Sequence, residues 1–277
     1  MNKFEGSSKY IAGEELLNSV NVAMALQKPL LIKGEPGTGK TMLAEAIAES
    51  LGMELIIWSI KSTTKAQDGL YLYDTVQRLY DSQFGEGNVG DIKQYIRLGK
   101  LGEAFTSEKQ CVILIDEIDK ADLEFPNDLL WELDKMEFYI NETKETIKTK
   151  TRPIVIITSN AEKELPDAFL RRCIFHYIEF PDKDKMTEIV HAHYGDIDKK
   201  LVEQAMEAFY SLRDMNELQK KPSTSELLDW IQALIISGVD IKKIVDEIPY
   251  VGVLLKKNED IEVMREIKEK GYSLKRW

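Results

Sequence analysis

The chain has 277 residues, 43% hydrophobic and 31% charged, with a formal net charge of −11. That length allows a large core plus a smaller second domain, and the composition is that of a soluble globular chain. The acidic balance argues against a broad nucleic-acid or acidic-membrane surface, while leaving room for a local basic patch.

No apolar run approaches the roughly 20 residues that span a bilayer. Met1 to Tyr10 lacks the apolar centre of a signal peptide. The two cysteines, Cys111 and Cys173, lie far apart without a partner motif, which fits a reduced cytosolic compartment.

Residues 9 to 28 carry Tyr10, Ile11, Leu16, Leu17, Val20, Val22, Met24 and Leu26 at largely helical spacing, and Pro29 ends the segment. Leu30 to Ile32 then reads as the end of a buried strand. The loop Gly34-Glu35-Pro36-Gly37-Thr38-Gly39-Lys40 follows, and a helical run from Thr41 and Met42 to Leu51 stops at Gly52. This is G-x-x-x-x-G-K-[ST] in a strand–loop–helix setting. Gly34, Gly37 and Gly39 leave room for backbone N–H groups to close around phosphate oxygens. The helix starts where the phosphates would sit, and its free N–H groups favour negative charge. Lys40 is expected to reach the β- and γ-phosphates and the Thr41 hydroxyl to ligate Mg²⁺. Gly-rich turns also join strands to helices for purely structural reasons, but the flanking elements and the Lys-Thr pair point to a nucleoside-triphosphate site.

Leu55 to Ile60 reads as a second buried strand. Residues 61 to 110 are polar and broken by Gly69, Gly85, Gly87, Gly90, Gly99 and Gly102 into short helical pieces. The length suggests an inserted element, either functional or a solvated excursion. Val112 to Ile115 is the next strand, and it ends in the adjacent carboxylates Asp116 and Glu117. Two charges at the end of an apolar strand are costly unless something needs them. After a phosphate loop, Asp116 fits as the Mg²⁺ partner and Glu117 as the residue that polarises an attacking water.

Ala121 to Lys135 is expected to form one amphipathic helix, with Leu129, Leu130, Trp131 and Leu133 on its apolar side. Phe138 to Ile140 and Ile147 bracket a β-hairpin with a polar tip. Lys144, Lys148, Lys150 and Arg152 outnumber Glu142 and Glu145 there, as suits a substrate-facing loop or a solvated turn. Ile154 to Asn160 is a fourth strand with a polar end. Asn160 can both donate and accept, so it could hold water near a γ-phosphate, although Asn also ends strands for local reasons. Arg171 and Arg172 follow, then a fifth strand from Ile174 to Phe180. An arginine fork suits charge developing on a transferring phosphoryl group, whereas an Arg pair on a helix can also be a surface ion pair.

From Asp182 the pattern is helical: about 184 to 194, 198 to 214, 223 to 237, and shorter pieces including a peripheral helix between Lys256 and Trp277. Ser223-Thr224-Ser225-Glu226 reads as a capping box. His191 and His193, spaced i, i+2, point to different sides of a helix and read as surface residues rather than metal ligands.

Together these motifs resemble the AAA+ ATPases, specifically the MoxR-like group, over essentially the whole chain. The resemblance implies an α/β P-loop domain over residues 1–182, a three-layer α/β/α structure with a parallel five-stranded sheet. A helical lid over 183–277 would follow. It makes Gly34 to Thr41 the Walker A loop and Ile115-Asp116-Glu117 the end of Walker B. By position Asn160 matches the polar sensor, and Arg171 or Arg172 the finger that reaches a neighbouring subunit's nucleotide. Tyr10 and Ile11 match the segment bordering the adenine ring. Residues 61 to 110 look like the insert in the second helix of this clade. ATP and Mg²⁺ as ligands, a hexameric ring, a cytoplasmic setting and a protein client, such as one with a von Willebrand factor A domain, are further implications.

One position departs from that pattern. Ser225 occupies the place where MoxR-like proteins commonly carry a lid arginine that touches the γ-phosphate. Lys220 and Lys221 are the basic residues nearest to it in sequence. Two other readings stay open: a DNA-associated motor, kept alive by the basic residues of 144 to 152, and a nucleotide-gated binding module with little turnover. A small-molecule P-loop kinase fits poorly, since it needs neither the paired acids nor the helical lid.

Overall fold

Five short runs rich in Ile, Val and Leu form one parallel sheet, and the first unit packs helices against both of its faces. The computed structural model describes residues 3–7, 10–85, 88–160 and 162–269. In chain order the first unit holds helix α1 (Glu14–Leu26), strand β1 (Leu30–Gly34), α2 (Lys40–Leu51) and β2 (Leu55–Ser59). The inserted stretch contributes α3 (Ala66–Leu70), β3 (Tyr71–Tyr73), α4 (Thr75–Phe84), a 3₁₀ turn (Ile92–Tyr95), β4 (Ile96–Leu98) and α5 (Lys100–Thr106). Then come β5 (Val112–Asp116), α6 (Phe125–Asp128), α7 (Leu130–Lys135), the hairpin β6 (Glu137–Ile140) and β7 (Glu145–Lys148), β8 (Ile154–Ser159), α8 (Asp167–Leu170) and β9 (Ile174–Ile178).

The large sheet has the order β2-β5-β8-β1-β9, every pairing parallel. Parallel strands are buried on both faces, and β5 shows why its sequence is continuously apolar. Val112 and Leu114 pack with Leu16, Val20 and Ala23 of α1 and Leu43 and Ile47 of α2. Ile113 and Ile115 face the other way, toward Trp58, Phe105, Phe125 and Phe169. Leu114 is completely buried, so Leu114→Ala would remove about 2–5 kcal/mol of stability. Sheet order also matters for the site. β8 lies between β1 and β5, so the carboxyl ends of these three strands open side by side, where α/β sheets bind ligands.

Two expectations are corrected. A single helix from Ala121 to Lys135 does not form. Pro126 lacks an N–H and restricts the residue before it, so the first helix begins only at Phe125. Leu129, at φ −93° and ψ −4°, then separates α6 from α7. Leu129 and Leu133 are buried, but Trp131 is 60% exposed, with the Lys135 ammonium 5.7 Å from its ring centroid. The N-terminal helix likewise starts at Glu14 rather than near residue 9, which itself lies outside the described residues.

The insert is more ordered than a run of broken helices. β3 and β4 pair antiparallel, with Tyr71 opposite Leu98 and Tyr73 opposite Ile96. Gly99 and Gly102 prove to be points of close approach: a Cβ on either would stand 2.1 Å from the Asp68 or the Leu70 carbonyl oxygen. α4 buries none of its side chains, although Val76, Leu79, Tyr80 and Phe84 are exposed on it. Asp74 caps it by accepting from the Gln77 N–H, and the Tyr95 hydroxyl donates to Asp81.

A second unit comprises residues 179–277 and includes Glu35–Thr38. Its described helices are α9 (Lys183–Tyr194), α10 (Lys199–Arg213), α11 (Thr224–Ser237), α12 (Ile244–Glu247), α13 (Val251–Leu254) and α14 (Asn258–Glu269). The helix expected from Lys256 to Trp277 is thus seen as α14, and its expected remainder lies outside the described residues. Asp182 and Asp198 cap α9 and α10, and the Ser223 N–H donates to Glu226, which closes the first turn of α11. Trp230, Phe209, Met206 and Leu227 are fully buried in its core. The buried Asp260 carboxylate accepts the N–H groups of Gln219 and Lys220. Among the described residues no helix is long and apolar enough to cross a membrane.

Candidate nucleotide-binding site

The loop between β1 and α2 is shaped by its glycines. Gly37 and Gly39 have φ of +79° and +82°, the left-handed region that residues with a Cβ rarely adopt. A Cβ on Gly39 would also stand 3.3 Å from the Tyr10 ring, so the ring lies directly against the loop. Burial pushes the Tyr10 phenol well above its usual pKa. Ile11, by contrast, is exposed, as is Met42 in the first turn of α2. Within the loop the Thr38 hydroxyl donates to the Glu35 carbonyl at 2.8 Å. Lys40 is buried, and its ammonium donates to the Gly34 carbonyl at 2.9 Å. A buried cation beside a glycine turn and a helix N-terminus is a cradle that fits a phosphate chain.

Across the sheet, the Thr41 hydroxyl stands 3.3 Å from Asp116 Oδ1 and 3.4 Å from Oδ2. A hydroxyl and a carboxylate at this separation, next to a phosphate cradle, suit a hard cation such as Mg²⁺, which takes one or two protein oxygens and completes its shell with phosphate and water. Asp116 also accepts a 2.6 Å bond from the Thr158 hydroxyl.

Glu117 begins the turn after β5 with φ 58° and ψ 52°, an uncommon conformation for a residue with a side chain. Three contacts hold it. Its N–H donates to Thr158 Oγ1 at 2.8 Å, Oε1 accepts from the Asn160 amide at 2.9 Å, and Oε2 pairs with the Lys120 ammonium. That pairing raises the Lys120 pKa. The turn carrying Asn160 is fixed in its own right, because the buried Asp119 accepts the N–H groups of Asn160 and Glu162.

The structure therefore brings Thr41, Asp116, Glu117 and Asn160 together. It does not bring Arg171 or Arg172 to that cluster. Arg172 donates to Asp134 at 2.6 Å and to the Ala168 carbonyl at 2.8 Å. Arg171 is exposed, and its side chain has no partner among the described residues. Lys220, one of the basic residues nearest Ser225, lies 3.9 Å from Glu226.

Residues 30–182 match the model of the ATPase family associated with various cellular activities, AAA. The chain belongs to the AAA ATPase family. The AAA match runs from the first residue of β1 to just before α9. Relatives at low identity agree with it. The ATP-dependent zinc metalloprotease FTSH 8 of Arabidopsis thaliana chloroplasts is 26% identical over 63% of this chain. Midasin of Dictyostelium discoideum is 27% identical over 66%. The chain spans only 23% and 3% of the lengths of those two proteins. Among solved structures, the Thermotoga maritima RuvB Holliday junction branch migration motor superposes with a TM-score of 0.56 at 15% identity, covering 94% of this chain and 77% of that one. At that identity the likeness concerns the fold alone.

Three residues of the site region were not singled out from the sequence, and neither was Arg213. Thr158 and Asp119 act through strand-end neighbours more than 40 positions away in sequence. Lys120 stands three residues after Glu117, a spacing that could have flagged it. Arg213 belongs to the second unit, where it pairs with Glu35.

Proposed function

We propose that this AAA family member is an ATP-hydrolysing module of MoxR-like type that forms a hexameric ring and remodels a protein partner. The assembly of Thr41, Asp116, Glu117 and Asn160 at neighbouring strand ends, beside the buried Lys40, carries the reading. In it, Gly34 to Thr41 hold the triphosphate, and Tyr10 and Ile11 border the base. Thr41 and Asp116 would hold Mg²⁺, which when bound offsets phosphate charge. Glu117, oriented by Asn160, accepts a proton from the attacking water. The carboxylate oxygen paired with Lys120 has to exchange that partner, or leave the work to the oxygen that faces Asn160.

Arg171 is the better candidate for a finger acting on the nucleotide of the next protomer. Among the described residues it has no side-chain partner, whereas Arg172 is engaged by Asp134. Residues 1–182 would then form the nucleotide-binding domain and 183–277 the lid. A client with a von Willebrand factor A domain and a cytoplasmic setting rest on the family resemblance.

The test is specific ATPase activity across a wide range of protein concentrations, with Glu117→Gln as blank. Activity per chain that climbs with concentration supports sites completed by a neighbour. Absence of activity above the blank, with nucleotide still bound, would replace the reading by a gated binding module. A DNA-associated motor is disfavoured by the hairpin itself, since Lys148 and Lys150 are paired with Glu137 and Glu108. DNA binding that weakens steeply with salt would revive it.

A further inference from the structure

The second position of the phosphate loop is a glutamate, and a carboxylate there opposes the polyanion that the loop is built to receive. The Glu35 side chain is 47% exposed, so solvent only partly screens its charge. Its carbonyl is tied into the loop by the Thr38 hydroxyl and, at 3.4 Å, by the Thr38 N–H, so the residue cannot drift away from the turn.

Within the second unit, which contains Glu35, the answering charge is Arg213 at the end of α10. Its side chain is 9% exposed. Nη2 donates to Glu35 Oε2 at 2.8 Å, and Nη1 donates to the Pro222 carbonyl at 2.6 Å. Cζ lies 3.3 Å from the centroid of the Phe180 ring. An arginine fixed at three points is a poor candidate for a mobile surface cation. Its fork is preorganised, so little freedom is lost in holding the carboxylate.

We infer that Arg213 is a positioning residue for nucleotide binding: it neutralises Glu35 and turns its carboxylate aside, so that the loop presents net positive potential to the phosphates. The effect should grow with ligand charge, larger for the triphosphate than for the diphosphate. The inference rests on the nucleotide reading given above. It differs from a purely structural role, in which Arg213 would only tie Pro222 and Phe180 together. In that case the identity of residue 35 would not matter.

The experiment is equilibrium binding of ATP and ADP to the full chain, by calorimetry, in four forms: the parent, Arg213→Met, Glu35→Gln and the double variant. Lys40→Ala serves as the control. Arg213→Met is expected to weaken ATP binding by about tenfold or more and ADP binding by less, the usual size for exposing one charge of a paired group. Glu35→Gln removes the opposing charge and should bind ATP more tightly than the parent. In the Glu35→Gln background, Arg213→Met should cost no more than about threefold, because the charge it answers has gone.

An Arg213→Met loss that is equally large in both backgrounds, or no loss in either, overturns the inference. Should Arg213→Met fail to fold, Arg213→Gln keeps a donor for the Pro222 carbonyl and carries the same expectations. A parent chain whose binding is absent or indifferent to Lys40→Ala would defeat the nucleotide reading itself. Normal, Lys40-dependent binding without coupling between residues 35 and 213 would defeat this inference alone.

Discussion

The side-chain amide of Asn160 donates to Oε1 of Glu117 across 2.9 Å, joining the ends of two strands that are direct neighbours in the sheet. An amide in this position can hold the carboxylate without taking its charge, and so orient it toward a water. Removing it with Asn160→Ala should slow ATP turnover by about 10- to 100-fold, the size expected for a hydrogen bond to a charged group. ATP affinity should move far less. Steady-state rates set beside binding constants check the split.

Glu117→Gln should leave nucleotide bound and reduce turnover by about 10²–10⁴, the range for a general base. Single-turnover rates in preformed complexes would show it. A comparable fall in affinity would mean that Glu117 binds rather than catalyses.

The arginine pair separates by its partners. Arg171→Ala should lower activity by about 10³ or more if it serves a neighbouring protomer, in line with arginine fingers in general. Arg172→Ala should act mainly through its bond to Asp134 and lower activity much less. Mixing Arg171→Ala chains with Glu117→Gln chains should restore part of the activity, because one mixed site then has both groups. Absence of recovery in mixed rings would place the arginine and the carboxylate in one protomer.

Thr158 is wholly buried and serves two masters, accepting from the Glu117 N–H and donating to Asp116. Thr158→Val keeps the shape and removes both bonds, leaving an N–H without its acceptor on a residue already at positive φ. A loss of about 1–3 kcal/mol is expected, read as a lower denaturation midpoint.

Alkaline pH should also weaken the fold. Burial, followed by the charge of Asp134, pushes the Cys173 thiol from 9.0 to about 12. Burial likewise pushes the Tyr210 phenol from 10.0 to about 12. Above pH 9 an unfolded chain would release protons that the folded chain retains, so stability falls as pH rises from about 9 to 12. Denaturation midpoints across that window measure it. The same burial predicts slow reaction of Cys173 with thiol reagents near pH 8 until the chain unfolds.

Much of this site was legible from residue order, and the reasons are local. Gly37, Gly39, Lys40 and Thr41 act within one turn, and Asp116 with Glu117 stands at the end of a single apolar run. The five strands of the sheet were visible for the same reason. What escaped notice depends on distant pairing. Thr158 reaches Glu117 over 41 positions, and Arg213 reaches Glu35 over 178, so no spacing rule announces either. The late start of α6 was signalled by Pro126, but the apolar spacing of Leu129 and Leu133 masked it. In the insert Gly85 does end α4, as a breaker should, but Gly99 and Gly102 proved to be close approaches to backbone carbonyls that the sequence does not display.

Helix α4 has a consequence for time rather than for structure. Its outward row of Val76, 80% exposed, with Leu79, Tyr80 and Phe84, means that no buried side chain has to be pulled from a core for it to open. Its amide protons should therefore exchange with heavy water among the earliest in the chain, well before those of β5, whose strand cannot open without dismantling the sheet.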